Sequence, residues 1–149
     1  LDQVLDIYYG KILLNIELKS RGSAKTIIKL LRKRAGNSQT GWDNLLISSF
    51  RANELVSLRR LEPRVNLALL HDNNPFSFIA YQRYLRLTAV GFHRLHTNRL
   101  ATEIAKKAGL FTYVYTVDRP QSAKRFAQAG YDGVVTNYPD RITSELRLD

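Results

Sequence analysis

Glu17 and Lys19 are the residues whose types and spacing most directly suggest chemistry. They flank Leu18 at the end of a strand-like run, so both side chains point to the same side of the strand. A carboxylate offers hard oxygen to a divalent cation, and an ammonium offers charge to a phosphate. The plainer reading of the same spacing is an ion pair. His71, followed by Asp72, sits on another strand end, where acid–base work is possible but where a loop histidine without a role is also common. His93 and His96 lie three residues apart after a further strand. Without Cys or a carboxylate nearby in sequence, they make a poor metal set. No Gly-x-Ser-x-Gly elbow exists, and no Ser-His-Asp arrangement is recognisable from spacing.

Short apolar runs alternate with helical patterns from end to end, and these elements must position the reactive residues. Strands are expected at Ile12 to Leu18, Leu45 to Ser49, Asn66 to His71, Ala89 to His93, Phe111 to Val117 and Gly133 to Thr136. Helices are expected from an N-cap at Ser23 to about Ala35, from Asn53 to about Leu61, from Ser77 to Leu85, from an N-cap at Asn98 to Ala108, and from Pro120 until Gly130 closes it. Gly36 and Gly109 suit the positions just past two of these helices, and Pro63 stops another. Continuous apolar strands alternating with amphipathic helices argue for an α/β fold with a parallel, helix-covered sheet. An open doubly wound sheet and a barrel both fit. No Gly-rich dinucleotide loop follows any strand, which disfavours a nucleotide-binding open sheet. Residues 1–149 contain no linker or low-complexity segment and read as one domain.

In a barrel, function gathers at the C-terminal ends of the strands. Those ends carry Glu17 and Lys19, Ser48 to Phe50, His71 and Asp72, His93 and His96, Tyr115 to Asp118, and Thr136 to Tyr138.

Lys and Arg total 23 against 13 Asp and Glu, a net charge of +10 that favours an anionic partner. Much of this charge, such as Lys25, Lys29, Arg32, Lys33 and Arg34, falls on a helix, where a solvated face is the ordinary explanation. The aromatic interleaving of a single-strand nucleic-acid groove is missing, so no nucleic-acid partner is expected. No apolar run spans a bilayer and no signal peptide opens the chain, so cytoplasm is the default setting. Zero Cys excludes disulfides. Zero Met and a start at Leu1 suggest a fragment.

The run Leu14-Asn15-Ile16-Glu17-Leu18-Lys19 resembles a hallmark strand of the glycerophosphodiester phosphodiesterase family. Leu46-Ile47-Ser48-Ser49-Phe50, the pair Leu69-Leu70, and Val114-Tyr115-Thr116-Val117-Asp118 are similar to family segments in the same order. Gly130-Tyr131-Asp132-Gly133-Val134-Val135-Thr136-Asn137-Tyr138-Pro139-Asp140 resembles the closing signature. The resemblance covers essentially the whole chain. It implies a (β/α)₈ TIM barrel that hydrolyses glycerophosphodiesters to glycerol 3-phosphate and an alcohol. The family uses a divalent cation, Mg²⁺ or Ca²⁺, held by three carboxylates, with two histidines as acid and base. By resemblance Glu17 is the third metal ligand, Lys19 is catalytic and lies beside the substrate phosphate, and Tyr115 and Phe50 line the substrate pocket.

The departures shape the expectation. The family's opening His-Arg-Gly strand and the following strand with its Glu-x-Asp metal pair are absent, so the six strands correspond to about strands three to eight of an incomplete barrel. His71-Asp72 imitates a family His-Asp dipeptide but follows the wrong strand. Asp118 stands where the family usually has Asn, and Asn137 where it usually has Asp. With one carboxylate of three, a cation should be held weakly. Without the histidines, acid–base help of about 10²–10⁴-fold should be lost. The chain alone is therefore expected to be inactive. Two open sheet edges should lead it to oligomerise or to pair with a missing N-terminal fragment. The alternative reading is a non-catalytic basic domain that binds phosphate esters or nucleic acid.

Overall fold

The computed structural model describes residues 1–71 and 73–146. Seven helices and six strands follow in the order α1 (Asp2–Tyr8), β1 (Leu14–Glu17), α2 (Ala24–Ala35), β2 (Leu45–Ser49), α3 (Ala52–Leu61), β3 (Asn66–His71), α4 (Phe78–Leu85), β4 (Ala89–His93), α5 (Arg99–Lys107), β5 (Phe111–Tyr115), α6 (Pro120–Gln128), β6 (Gly133–Val134) and α7 (Pro139–Leu146). The described residues form two compact units. The first holds residues 1–69 and 80–87, and the second holds residues 70–79 and 88 onward.

In the first unit β1, β2 and β3 are parallel neighbours, with Glu17 opposite Ser48 and Ser49 opposite Leu69. All five residues of β2 are buried, as a strand covered on both faces requires. Helix α2 buries Ala24, Ile28, Leu31 and Ala35, a stripe with near-helical period, while Ile27 and Leu30 are half-buried. Trp42, in a short 3₁₀ turn, is fully buried, and the Arg64 guanidinium lies 5.7 Å from its ring centroid. Beneath it the buried Glu62 carboxylate takes Arg64 Nε at 2.7 Å and Arg32 Nε at 3.1 Å. The Arg64 guanidinium, followed by that of Arg32, holds the Glu62 carboxyl down at about 2 against the opposing effect of burial.

The expected N-cap of α2 holds in position but not in its bonding. Ser23 occupies the N-cap position but makes no capping bond, and its hydroxyl donates to Ser20 O instead. The acceptor is the buried carboxylate of Glu54 on α3, which takes Gly22 N at 2.6 Å and Ala24 N at 3.3 Å. A negative charge at a helix N-terminus also complements the helix dipole. Strand β1 begins at Leu14 rather than Ile12, because Ile12 and Leu13 are half exposed and have no partner strand that buries them.

In the second unit β4, β5 and β6 are parallel neighbours. Val114, Val117, Ala123 and Ile142 form a buried cluster against which Phe126, Tyr131 and Val134 pack. Helices α5 and α6 end alike. Leu110 N bonds Ala105 O and Gly109 N bonds Lys106 O, while Tyr131 N bonds Phe126 O and Gly130 N bonds Ala127 O. Both are Schellman closures, and Gly109 (φ 74°) and Gly130 (φ 88°) supply the left-handed residue that each requires. Asn98 caps α5 as expected, its Oδ1 accepting Ala101 N at 3.1 Å. Strands β5 and β6 stop at Tyr115 and Val134, earlier than the apolar runs suggest. Beyond Tyr115, Val117 still bonds Val135 O, but as part of a loop.

Candidate functional site

Glu17 and Lys19 stand at the C-terminal end of β1 and are exposed, with the buried Leu18 between them. Among the described residues neither side chain makes an ion pair or a hydrogen bond, so the plain ion-pair reading of their spacing does not hold. Their backbone, in contrast, is fixed by the neighbouring strand end. Leu18 N bonds Ser48 O at 2.8 Å, Ser49 Oγ donates to Leu18 O at 2.7 Å, and Arg51 Nε donates to Lys19 O at 3.2 Å. Arg51 N in turn donates to Ser49 Oγ at 3.0 Å. Arg51 was missed in the sequence, and Ser49 was named only as part of a strand end. The signal was the position of Ser48 to Phe50 on a strand end, but their role as backbone anchors depends on register. Phe50, the expected pocket-lining residue of this unit, is 41% exposed. Glu17, Lys19 and Phe50 are thus brought to the ends of adjacent strands.

Tyr115 lies in the second unit, half-buried at the end of β5. Its hydroxyl donates to His71 O at 2.6 Å, and its ring meets that of His93 edge-on with centroids 5.9 Å apart. The buried His71 ring places Nδ1 2.6 Å from Ser77 Oγ. Ser77 Oγ also lies 2.9 Å from Asn74 O, so one hydroxyl bridges the His71 ring and the Asn74 carbonyl. Ser77 was not foreseen from sequence. Asp72 lies outside the described residues. His93 and His96 are neighbours, 5.6 Å between centroids, at the turn after β4.

The Asp118 and Asn137 departures form one pair. Asp118 Oδ1 accepts Asn137 N at 2.9 Å and Thr136 Oγ1 at 3.1 Å, and its Oδ2 accepts Asn137 Nδ2 at 3.1 Å. These bonds from Asn137, then Thr136, with the charge of Arg94, hold the Asp118 carboxyl below its ordinary range. His93, Arg94, Thr116, Asp118, Arg119 and Asn137 line a cavity of about 550 Å³ in this unit. The stretch from Gly130 to Gly133 ties neighbouring elements together. Asp132 Oδ2 accepts Thr112 N at 2.8 Å and Thr112 Oγ1 at 2.7 Å, and Tyr131 OH accepts Thr102 Oγ1 at 2.7 Å.

Whether these residues suit a divalent cation can be tested directly. Among the described residues no three His, Cys, Asp or Glu side chains cluster as a metal group. Glu17 offers a single carboxylate, so the described residues do not assemble a cation site by themselves.

Comparison with known proteins adds the decisive observation: the glycerophosphoryl diester phosphodiesterase family model matches residues 6–141. The chain belongs to the glycerophosphoryl diester phosphodiesterase family. Relatives include the Bacillus subtilis protein YhdW, 29% identical over 97% of this chain and 60% of YhdW. A glycerophosphodiester phosphodiesterase of Caldanaerobacter subterraneus is 28% identical over 91% of this chain and 56% of its own length. The chain therefore spans little more than half the length of the curated relatives it matches. Among solved structures, an Oleispira antarctica phosphodiesterase in complex with sn-glycerol 3-phosphate superposes with a TM-score of 0.81 at 23% identity, over 98% of this chain and 59% of that one. That likeness gives the fold: an α/β chain corresponding to part of a TIM barrel, as the motif order implied. Among the described residues no helix is long and apolar enough to cross a membrane.

Proposed function

We propose that this chain, as one domain over residues 1–149, supplies part of the active site of a hydrolase that cleaves glycerophosphodiesters to glycerol 3-phosphate and an alcohol. The observation that carries the proposal is the family match together with two charges at the C-terminal end of β1, Glu17 and Lys19, that have no partner among the described residues. Lys19, whose carbonyl is held by Arg51 and whose neighbour Leu18 is held by Ser49, offers an ammonium that would neutralise a phosphate's negative charge. Glu17 is one carboxylate ligand of a divalent cation, Mg²⁺ or Ca²⁺. Its remaining donors lie outside the described residues, so this chain alone holds the ion weakly. Phe50 of the first unit and Tyr115 of the second are each read, from the family's motifs, as substrate-contacting residues. A cytoplasmic setting is part of the same reading and is checked by cell fractionation.

The test is release of glycerol 3-phosphate from glycerophosphocholine. With Mg²⁺ or Ca²⁺ the chain alone should show no turnover. Joined to the portion of the Caldanaerobacter relative that it does not span, it should turn over. A folded joined protein without activity overturns the proposal.

Strand edges support a second element of the reading. Among the described residues β1 has only β2 as a strand neighbour, and β6 has only β5. Unpaired strand edges are templates for another chain. The isolated chain should therefore associate, and a clean monomer by light scattering contradicts this element alone.

A further inference from the structure

Helix α2 carries five basic residues and no acidic one. Two are engaged: Arg32 with Glu62 and Leu61 O, Arg34 with Asp2 and Asp6. The other three, Lys25, Lys29 and Lys33, recur every fourth residue, so they stack along one exposed face of the helix. Among the described residues none of the three makes an ion pair or a hydrogen bond. Like charges at this spacing weaken a helix, so the fold retains two repulsive pairs here while neutralising its other two cations on the same helix. The stripe also borders an open groove of about 680 Å³, closed on its far side by Leu61 of α3.

We propose that the Lys25, Lys29 and Lys33 face of α2 docks the chain on an anionic phospholipid surface. Clusters of basic residues on an amphipathic helix gain attraction from the negative surface potential of such membranes. Over eight residues the three ammonium groups span about 12 Å of helix, long enough to face several headgroups at once. The mode is peripheral, because the apolar floor of the groove is shut: Ile28 is 2% exposed and offers no wedge for insertion. Single-stranded nucleic acid fits less well, since no aromatic side chain lines the groove to stack on bases. The proposal stands independently of Glu17 and of the hydrolase reading.

The experiment is sedimentation of the full chain with vesicles of phosphatidylcholine alone or mixed with phosphatidylserine, at low and at physiological salt. Binding is expected only to the mixed vesicles and should weaken with salt. The triple variant Lys25→Gln, Lys29→Gln, Lys33→Gln should reduce partitioning about a hundredfold. A second triple variant, Arg83→Gln, Lys107→Gln, Arg141→Gln, removes the same charge from exposed positions outside α2 and should keep binding within about a few-fold. Circular dichroism should show both variants folded, which keeps a loss of binding interpretable. Equal losses in the two variants would mean that net charge alone drives adsorption, and the proposal would be wrong. It would also be wrong if mixed vesicles fail to bind, or if the α2 lysines matter only for an acidic peptide or RNA offered in the same assay.

Discussion

At the end of β1, Glu17 and Lys19 are exposed and their side chains have no partner among the described residues, although their backbone is pinned by Ser49 and Arg51. The strand ends of the second unit are built the other way. There the Tyr115 hydroxyl, the His71 imidazole and both Asp118 oxygens are committed to hydrogen bonds within the unit. Charges left bare on a fixed backbone contribute little to folding and are available to something outside the chain. Polar groups that satisfy one another hold loops in place. On the proposed reading, the first set carries chemistry and the second holds shape.

The largest expected effects test the bare side of the contrast. In the active joined protein, Lys19→Ala should lower kcat by about 10²–10³-fold, the range for losing one preorganised electrostatic contact. Its thermal unfolding should hardly move, because no described contact is lost. A Tm drop with unchanged kcat would reverse the assignment. Glu54→Ala probes the backbone that presents these charges. It leaves Gly22 N and Ala24 N without their acceptor, and should destabilise the chain by about 2 kcal/mol in denaturant unfolding.

Glu62 is the satisfied charge of the same unit, and acid separates it from Glu17. Its carboxyl titrates at about 2 in the folded chain against an ordinary 4.5. A carboxyl depressed on folding stabilises above its unfolded value and loses that contribution as pH falls. Stability should therefore decline from about pH 4.5 toward pH 2, by on the order of 2 kcal/mol after allowing for the half-exposed Arg32 partner. Glu62→Gln should flatten that decline in an acid titration followed by circular dichroism. The smallest effect belongs to the second unit. Tyr115→Phe removes the bond to His71 O and should lower stability by about 1 kcal/mol.

Much of this architecture was legible in the sequence. Strands β2, β3 and β4 have the expected bounds because their apolar runs are buried along nearly all of their length. The helix ends at Gly109 and Gly130 were legible for a local reason, the need for a left-handed residue. Helices α1 and α7 were not foreseen, although Leu1, Val4, Leu5 and Tyr8 recur at helical spacing along α1 and its N-cap; of these only Leu5 is buried. Where a group depends on distant chain, the sequence was silent. The cap of α2 comes from Glu54, thirty residues on from Ala24, and Ser23 nearby offered a plausible but unused alternative. At the site, Glu17, Lys19, Phe50 and Tyr115 were named from motifs, whereas their supports, Ser49, Arg51 and Ser77, follow only from register and loop geometry. Asp118 and Asn137 looked like two separate departures and proved to be one hydrogen-bonded pair.

The most direct test of the central claim compares the joined protein with its Glu17→Ala variant, measuring glycerophosphocholine hydrolysis and thermal unfolding on the same samples. The expected result is turnover reduced by more than about 10²-fold at an unchanged Tm, since loss of a metal ligand should exceed the 10–100-fold typical of its supporting shell. Undiminished turnover in a folded Glu17→Ala protein would contradict the claim that the bare charges of β1 carry the chemistry.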